Sequence, residues 1–306
     1  MPAIVAVRGS ADLNLLGKAV PGAAVHEIHT LEEADPEQAR TADVLVLRSG
    51  VRLGAAQLPD WPALRHVIRA GSGLDGIDTS ALAARGIALH RNTGPAAYAV
   101  AEWALVALLS LARRIPYGQA ALAAGEHAKT ACLTEPVSRM RLAIWGAGPV
   151  GRACGRLLRP HVRELAYAAR PSVPAHLPQR PADTLPAWAD SHLVALPLGP
   201  QTMRLFGGGF LSAARHRSPL LICVGRLGTL DLPACLEALA CGDLSGLALD
   251  PIDQDDLALL PTGGPPLNLL ATPHIGAQRT DVRSALDAWV ASTAHRVLTP
   301  TGSQAR

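Results

Sequence analysis

Short apolar runs alternate along the chain with alanine- and leucine-rich segments in which apolar residues recur at helical spacing. In the first third, the runs Ala3–Val7, Val44–Leu47, His66–Arg69 and Ile87–His90 predict four strands. Further strands are predicted at Leu142–Trp145, Glu164–Ala168, His192–Leu196, Leu220–Val224, Leu247–Leu249 and Leu269–Thr272. Strands that alternate with helices form parallel sheets with helices on both faces. The pattern therefore predicts an α/β protein with two doubly wound sheets.

Two long segments have helical periodicity. Ala96–Leu111 is almost wholly apolar, but Glu102 interrupts it and Arg113 follows its short length, so we expect a buried helix or a subunit interface rather than a membrane span. Asp281–Leu298 predicts a C-terminal helix that returns to the first domain. The proline-rich stretch Pro171–Pro186 predicts an irregular connection inside the second domain.

Three glycines follow the predicted strand at Leu142–Trp145. Gly146, Gly148 and Gly151 have G-x-G-x-x-G spacing, and Pro149 suits the first turn of a helix. In a dinucleotide-binding unit such glycines allow a tight turn, close approach of the backbone to a pyrophosphate, and close packing of helix on strand. The free amides at the helix start would then hold phosphate. An ordinary strand-to-helix turn is the alternative.

The residues after the next predicted strand bear on the choice of cofactor. NAD-binding units usually carry a carboxylate about 20 residues after the glycines, where it accepts hydrogen bonds from the ribose. Here Ala168 is followed by Ala169, Arg170, Pro171 and Ser172, without an acid. Arg170 would pair with a 2′-phosphate and Ser172 would donate a hydroxyl. The sequence thus favours NADP over NAD; a solvated loop arginine is the alternative.

Composition narrows the function classes. The 306 residues suit two domains, and 49% hydrophobic with 17% charged residues indicates packed cores rather than disorder or a nucleic-acid-binding surface. A net charge of +3 says little about partners. The five cysteines form no metal-like cluster, and the N-terminal apolar run is too short for a signal peptide. We expect a cytoplasmic protein without a metal, nucleic-acid or membrane partner.

Several ordered motifs resemble the D-isomer-specific 2-hydroxyacid dehydrogenase family, and within it the D-3-phosphoglycerate dehydrogenase branch. They are Arg69–Asp78, Arg85–Ile87, Asn92–Thr93, Ala99–Glu102, Leu196–Thr202, Cys223–Arg226, Leu249–Asp250 and Thr272–Gly276. The similarity extends over nearly the whole chain. It implies a flavodoxin-like substrate domain at 1–91 and 276–306, a Rossmann NAD(P)-binding domain at 92–275, and a cleft between them. The length matches the short form of the branch, without a regulatory domain.

The resemblance also implies a catalytic set. His274 matches the acid that protonates the substrate oxygen, a role that suits imidazole near neutral pH. Arg226 matches the arginine that binds the substrate carboxylate through its forked donors. Asp255 takes the place of the glutamate that orients the histidine, with Asp253 and Asp256 as rivals. Leu227 departs from the family, which generally has glycine after the arginine, so Leu227 would narrow the site or alter the turn.

The implied ligand contacts follow the same motifs. Asp250 would accept from the nicotinamide carboxamide, or else simply cap a strand end. Cofactor contacts are expected from Gly146, Gly148, Pro149, Val150, Gly151, Arg170, Ser172, Leu196, Pro197, Thr202, Val224, Asp250, His274 and Gly276. Substrate contacts are expected from Arg48, Ser49, Arg69, Gly71, Ser72, Gly73 and Arg226. Arg48 and Arg69 resemble a phosphate clamp, although either would also serve as a surface charge.

The resemblance therefore implies an oxidoreductase that transfers hydride between NAD(P) and a small anionic 2-hydroxy or 2-keto acid. The two arginines favour a phosphorylated substrate, as in D-3-phosphoglycerate dehydrogenases. The absent ribose-binding acid favours an NADPH-dependent hydroxypyruvate or glyoxylate reductase instead. An NAD(P)-sensing binding protein with little turnover is the alternative from another class. A homodimer through the Ala96–Leu111 helix is expected, because the family dimerises there.

Overall fold

The computed structural model describes residues 1–71 and 73–299. They divide into two compact units, one formed by Met1–Ala96 with the C-terminal stretch from Arg279, the other by Ala97–Gln278. The sequence placed these boundaries at residues 91 and 276. Both units are α/β.

The first unit contains one five-stranded parallel sheet. Its strands are β1 (Ala3–Val7), β2 (Ala24–Ile28), β3 (Val44–Leu47), β4 (His66–Arg69) and β5 (Ala88–Arg91), in the order β2-β1-β3-β4-β5. Its helices are α1 (Leu13–Ala19), α2 (Pro36–Thr41), α3 (Thr79–Ala84) and α10 (Thr280–Leu298), with a 3-10 turn at Leu58–Asp60. This is the flavodoxin-like order, as the resemblance implied.

Alternating residues of β1 face opposite sides of this sheet. Val5 and Val7 belong to one buried cluster, whereas Ile4 and Ala6 belong to another. The second cluster includes Val290 and Ala294 of α10, so the C-terminal helix packs on the first unit. Burial on both faces is what makes such strands continuous apolar runs in the sequence.

The second unit contains a seven-stranded parallel sheet. Its strands are β6 (Arg141–Trp145), β7 (Glu164–Ala168), β8 (Gln179–Arg180), β9 (Ser191–Val194), β10 (Leu220–Cys223), β11 (Gly246–Leu249) and β12 (Leu269–Ala271). Its helices are α4 (Ala96–Ala112), α5 (Ile115–Ala123), α6 (Pro149–Leu158), α7 (Leu185–Trp188), α8 (Gly208–Ala214) and α9 (Leu232–Cys241). Short 3-10 segments occupy Thr130–Cys132, Val137–Arg139, Arg159–His161, Arg215–Arg217, Leu227–Thr229 and Gln254–Leu259.

The strand order of this sheet is β12-β11-β10-β9-β6-β7-β8. The order reverses between β6 and β9, which gives the Rossmann arrangement with its switch point beside the glycine turn. Ala143 and Trp145 lie in one buried cluster, while Leu142 and Ile144 lie in another with α4. The predicted α/β class with two doubly wound sheets is confirmed.

Two strands were not predicted, and both are edge strands. β2 is half-buried and carries His26 and Glu27, so it lacks the apolar run of a central strand. β8 consists of Gln179 and Arg180 alone. Together with the start of α7 at Leu185, β8 also shows that Pro171–Pro186 is less irregular than predicted.

The apolar helix α4 is largely buried, with nine buried residues along 17. No single helix within residues 1–71 and 73–299 is long and apolar enough to cross a membrane. The helices α4 and α5 reach the required length and hydropathy only when they are taken together, and the chain bends by 62° between them.

Candidate active site

The glycine turn after β6 has the backbone that a phosphate-binding turn needs. Gly146 has φ of 111°, a region that favours glycine, and a Cβ there would lie 2.6 Å from the carbonyl oxygen of Ala195. A Cβ at Gly151 would lie 1.9 Å from the Gly146 carbonyl oxygen. A side chain at Gly151 would push α6 away from the turn, and one at Gly146 would collide with the loop after β9. The tight turn and the close helix packing therefore require glycine at these two positions, whereas the approach of Gly148 to a pyrophosphate stays a prediction.

The start of α6 fits a pyrophosphate. Gly148 is the N-cap and makes no side-chain capping bond, Pro149 opens the helix, and a Cβ on Gly148 would meet no atom within 4 Å. The first-turn amides therefore face open space beside a ten-residue helix, where the helix dipole favours an anion. Val150 lies in this first turn. These features fit a dinucleotide, which would supply the hydride.

Arg170 and Ser172 lie in the turn after β7. The amide of Val173 donates to the Arg170 carbonyl at 2.9 Å, which closes the turn. Arg170 is half-buried and Ser172 is exposed. In a Rossmann sheet this turn follows the strand next to the glycine turn, where the adenosine ribose binds. Arg170 and Ser172 therefore lie where the sequence predicts a contact to the ribose end of the cofactor.

The loop after β9 holds the next group of predicted cofactor residues. Leu196 is buried, and Thr202 donates from its hydroxyl to the carbonyls of Pro197 at 2.7 Å and Gly199 at 3.2 Å. Val224 follows β10 and is half-buried. A Cβ at Gly225 would lie 2.5 Å from the Leu196 carbonyl oxygen, so the loops after β9 and β10 touch closely.

Arg226 has a fixed backbone. Its carbonyl accepts from the Thr229 hydroxyl at 2.7 Å and from the Thr229 amide at 3.0 Å. One guanidinium nitrogen donates to the Gly225 carbonyl at 2.8 Å, and the side chain is half-buried. The guanidinium is a partly exposed, permanently charged fork of the kind that binds carboxylates.

Leu227 follows Arg226 directly and is partly buried. It begins the 3-10 segment Leu227–Thr229 and packs against the apolar cluster of the second unit. With Leu198, Leu230 and Leu232 it lines a cavity of about 310 Å³. That Leu227 narrows the substrate site or alters the turn stays a prediction.

Asp250 is 3% exposed and follows β11. One carboxylate oxygen accepts from the Thr272 hydroxyl at 2.7 Å and the Ile275 amide at 2.9 Å, and the other accepts from the Gly276 amide at 2.9 Å. These bonds show that Asp250 holds the loop after β12. A carboxylate has about four acceptor positions, so one is left for a cofactor amide.

His274 lies in the loop that Asp250 holds. Its φ of 54° is left-handed, and its amide donates to the Asp250 carbonyl at 2.7 Å and the Thr272 carbonyl at 2.9 Å. Non-glycine residues in this region carry backbone strain and are frequent at functional sites. The imidazole is about one-third exposed, so a substrate oxygen can reach it.

The carboxylate beside His274 is Asp253, not Asp255. His274 Nδ1 lies 3.6 Å from Asp253 Oδ1. Asp253 caps the 3-10 segment Gln254–Leu259, and its own amide donates to Asp256 at 3.0 Å. Asp255 lies inside that segment and is exposed. Counting along the motif pointed to Asp255; the Asp-x-x-Asp capping pattern was the sequence signal for Asp253.

Arg226, Asp250 and His274 follow the three adjacent strands β10, β11 and β12. Carboxyl ends of parallel strands share one edge of the sheet, and the glycine turn follows β6 at the same edge. The second unit thus gathers an anion-binding arginine, a titratable imidazole and a phosphate-binding turn. With a reduced nicotinamide bound at the glycine turn as the hydride donor, this combination would suit the reduction of a carbonyl next to a carboxylate.

The predicted substrate residues of the first unit lie at the carboxyl end of its own sheet. Arg69 is buried and donates to the Ala70 carbonyl at 2.7 Å and the Ser49 hydroxyl at 3.1 Å. Arg48 is exposed and donates to the Ser49 carbonyl at 3.3 Å. The two arginines therefore differ: Arg69 is fixed by neutral acceptors, and Arg48 is on the surface.

The loop after β4 contains the predicted glycines. Gly71 has φ of 142°, and a Cβ there would lie 2.7 Å from an Arg69 guanidinium nitrogen, so only glycine leaves Arg69 in place. Gly73 is half-buried. Ser72 lies outside the described residues.

Comparisons with known proteins show which family the chain is similar to. The profile "D-isomer specific 2-hydroxyacid dehydrogenase, NAD binding domain" matches residues 105–276. A D-3-phosphoglycerate dehydrogenase of Methanocaldococcus jannaschii is 26% identical over 272 residues, which cover 86% of this chain and 51% of the relative. A hydroxypyruvate reductase of Thermotoga maritima is 28% identical over 249 residues, which cover 79% of this chain and 80% of the relative.

A solved structure is similar over almost the whole chain. The NADPH-dependent glyoxylate/hydroxypyruvate reductase of Sinorhizobium meliloti, in complex with NADP and malonate, is 25% identical, with a TM-score of 0.77 and coverage of 95% and 91% of the two chains. The present chain spans about half the length of the D-3-phosphoglycerate dehydrogenase from M. jannaschii.

Proposed function

This chain belongs to the D-isomer-specific 2-hydroxyacid dehydrogenase family, and we propose that it catalyses NAD(P)H-dependent reduction of a small 2-keto acid, and the reverse oxidation. The observation that carries the proposal is the placement of Arg226, Asp250 and His274 after three adjacent strands, at the edge that also carries the glycine turn. A nucleotide-binding protein without turnover would need only the glycine turn.

Each residue of the site would have its own role in the reaction. Arg226 holds the substrate carboxylate and polarises the neighbouring carbonyl. His274 donates the proton to the carbonyl oxygen as hydride arrives at the carbon, and takes it back in the oxidation. Asp253 positions the imidazole, and Asp250 holds the His274 loop. A bound nicotinamide cofactor supplies or accepts the hydride.

NADPH is the proposed cofactor. The turn after β7 carries Arg170 and Ser172 where NAD enzymes usually have an acid. A guanidinium attracts a 2′-phosphate, whereas a carboxylate would repel it.

Hydroxypyruvate or glyoxylate is the proposed substrate class, ahead of 3-phosphohydroxypyruvate. Arg69 is buried and already donates to Ala70 and Ser49, so it offers less to a phosphate than a surface pair of arginines would. We propose that the loop from Arg69 to Gly73 contributes to substrate binding mainly through its backbone.

The test is a set of absorbance assays with purified protein, NADPH or NADH, and glyoxylate, hydroxypyruvate or 3-phosphohydroxypyruvate. We expect NADPH oxidation with at least one keto acid, fastest with an unphosphorylated one. His274→Ala should abolish turnover, whereas NADPH should still bind. Tight NADPH binding without oxidation by any keto acid would instead identify a nucleotide sensor.

A homodimer through α4 is also proposed. Tyr98, Val106 and Leu109 are exposed on this helix, with 56%, 55% and 40% of their surfaces accessible. Their spacing places them along one side of the helix, on which Glu102 is also exposed. Large exposed apolar side chains grouped on one helix face often mark an interface.

A further inference from the structure

Thr229 is a buried residue of the second unit to which the proposed reaction gives no role. It ends the 3-10 segment Leu227–Thr229, three residues after Arg226, and none of its surface is exposed. A buried hydroxyl without a hydrogen bond is unfavourable, whereas valine has nearly the same shape and carries no such cost. The presence of threonine at this position therefore draws attention to the atom that its hydroxyl binds.

The hydroxyl of Thr229 binds the backbone of Arg226. It donates to the Arg226 carbonyl oxygen at 2.7 Å. The Thr229 amide donates to the same oxygen at 3.0 Å, and this bond alone closes the turn. The hydroxyl bond is therefore not needed to form the turn, and its effect is to fix the Arg226 carbonyl more tightly.

The thiol of Cys223 is a third donor to the same carbonyl oxygen. Its Sγ lies 3.7 Å from the oxygen of Arg226. Cys223 is fully buried, and burial raises the pKa of its thiol to about 11. The thiol therefore keeps its proton near neutral pH and can donate it. Three donors thus converge on one carbonyl, which belongs to the arginine proposed to bind the substrate carboxylate.

The guanidinium of Arg226 is held against the same stretch of backbone. One of its nitrogens donates to the Gly225 carbonyl at 2.8 Å. The side chain and the carbonyl of Arg226 leave the same α-carbon. A backbone rotation at Arg226, which the three carbonyl bonds oppose, would therefore also turn the guanidinium.

The backbone of Thr229 has a separate structural role. Its carbonyl accepts from the amide of Phe206 at 3.1 Å and so joins the loops after β9 and β10. This bond and the amide bond to Arg226 do not involve the side chain, so both are retained when the side chain is changed. A substitution at Thr229 therefore tests the hydroxyl alone.

We propose that Thr229 is a positioning residue for substrate binding: its hydroxyl holds the Arg226 carbonyl and thereby sets the direction in which the guanidinium meets the substrate carboxylate. The inference rests on the proposed function, in which Arg226 binds that carboxylate. A bidentate contact between arginine and carboxylate depends on orientation, so a small change in direction weakens it.

The test compares Thr229→Val, which removes the hydroxyl, with Thr229→Ser, which keeps it. With NADPH and hydroxypyruvate or glyoxylate, we expect Thr229→Val to raise KM for the keto acid and to lower kcat/KM about tenfold. Thr229→Ser should stay within about threefold of the unaltered protein, and KM for NADPH should change less than about twofold in both variants. Oxamate, a keto-acid analogue that does not accept hydride, should bind the NADPH complex about tenfold more weakly in Thr229→Val, as measured by quenching of NADPH fluorescence.

Thr184 provides the matched control. Its hydroxyl donates at 2.8 Å to the carbonyl of Pro181, also three residues earlier, in an exposed turn before α7. Thr184→Val should leave the kinetics and the oxamate affinity unchanged. In an Arg226→Lys background, the effect of Thr229→Val should fall below about twofold, because lysine lacks the planar fork whose direction is set.

Turnover by the unaltered protein tests the proposed function, and the variants test Thr229. If the unaltered protein reduces a keto acid and Thr229→Val has the same KM, kcat and oxamate affinity, Thr229 does not position Arg226. Equal weakening of keto acid and NADPH binding, or no rescue by Thr229→Ser, would show a structural role only. If the unaltered protein binds oxamate without turnover, the oxamate affinities of the variants still decide. If it does neither, the proposed function and this inference are both wrong.

Discussion

The backbone carbonyl of Asp250 accepts a 2.7 Å hydrogen bond from the amide of His274. The buried Asp250 carboxylate then takes the amides of the next two residues, Ile275 and Gly276, at 2.9 Å each. His274 is left-handed, a conformation that needs support from its surroundings. One aspartate therefore fixes the backbone on both sides of the candidate acid.

Asp250→Asn tests this support. The substituted amide group would either lose the Gly276 bond or turn an N–H towards a backbone N–H, so we expect about 1–3 kcal/mol less unfolding free energy. We also expect kcat to fall, because His274 would no longer be held in place. Urea unfolding and steady-state kinetics measure the two effects.

The matched control is Asp183→Asn, on an exposed residue of the same unit. It should leave both quantities within error. If Asp250→Asn kept wild-type stability and lost only affinity for the cofactor, Asp250 would be a cofactor ligand and not the support of the loop.

The structure assigns the carboxylate beside His274 to Asp253, and the substitution pair Asp253→Asn and Asp255→Asn tests that assignment. Asp253 lies 3.6 Å from the imidazole and is the carboxylate that can orient it, so its loss should lower kcat about tenfold. Asp255→Asn should change kcat less than about twofold. A larger fall in kcat for Asp255→Asn than for Asp253→Asn would show that Asp255 replaces Asp253 when substrate binds.

How far the sequence predicts this site depends on the kind of residue. Gly146, Gly148 and Gly151 are fixed by local geometry, so their spacing identified the turn without knowledge of the fold. His274 and Arg226 have no local signature, and only the motifs around them indicated their roles.

The choice between Asp253 and Asp255 needed three-dimensional information. It depends on where a 3-10 segment begins, because Asp253 lies beside the imidazole as the N-cap of that segment and Asp255 lies inside it. The edge strands β2 and β8 were missed for another reason: a strand that is half solvated does not need an apolar run.

Arg170→Ala tests the cofactor preference. Arg170 follows β7 in the turn where the adenosine ribose would bind, and its loss should weaken NADPH about tenfold or more, because a charge-assisted pair with the 2′-phosphate is removed. NADH affinity should change less than about twofold. Fluorescence titration of each reduced cofactor gives both constants.

Arg163→Ala is the control for charge alone, because Arg163 is exposed and lies before β7. It should affect the two cofactors equally. Equal weakening of NADPH and NADH by Arg170→Ala would show that this arginine does not select the phosphate.

Val106→Glu tests the proposed dimer. The substitution would place a second carboxylate one helical turn after Glu102 on the exposed face of α4, and burying two like charges together in an interface is strongly unfavourable. We expect light scattering after gel filtration to give the mass of a monomer for the variant and of a dimer for the unaltered protein. Leu15→Glu, at an exposed position of α1, should remain dimeric. If the unaltered protein has the mass of a monomer, the dimer proposal is wrong.

His192 gives a prediction for stability against pH. It is fully buried on β9, and its Nδ1 accepts from the indole N–H of Trp145 at 3.2 Å. Desolvation lowers the pKa of His192 to about 3, and the opposing influence of Asp190 is smaller. His192 in the unfolded chain therefore becomes protonated near pH 6.5, whereas His192 in the folded chain stays neutral at that pH.

The sign follows from this difference. The folded pKa lies below the unfolded one, so the stabilisation is complete above pH 6.5 and is lost as the pH falls towards 3. We expect His192 to contribute a loss of about 2.5 kcal/mol between pH 7 and pH 4.5. Urea unfolding of the unaltered protein and of His192→Asn isolates the contribution, since asparagine keeps an acceptor near Nδ1 and does not titrate. The variant should lose less stability than the unaltered protein over this range, and identical pH profiles would mean that His192 becomes protonated without unfolding.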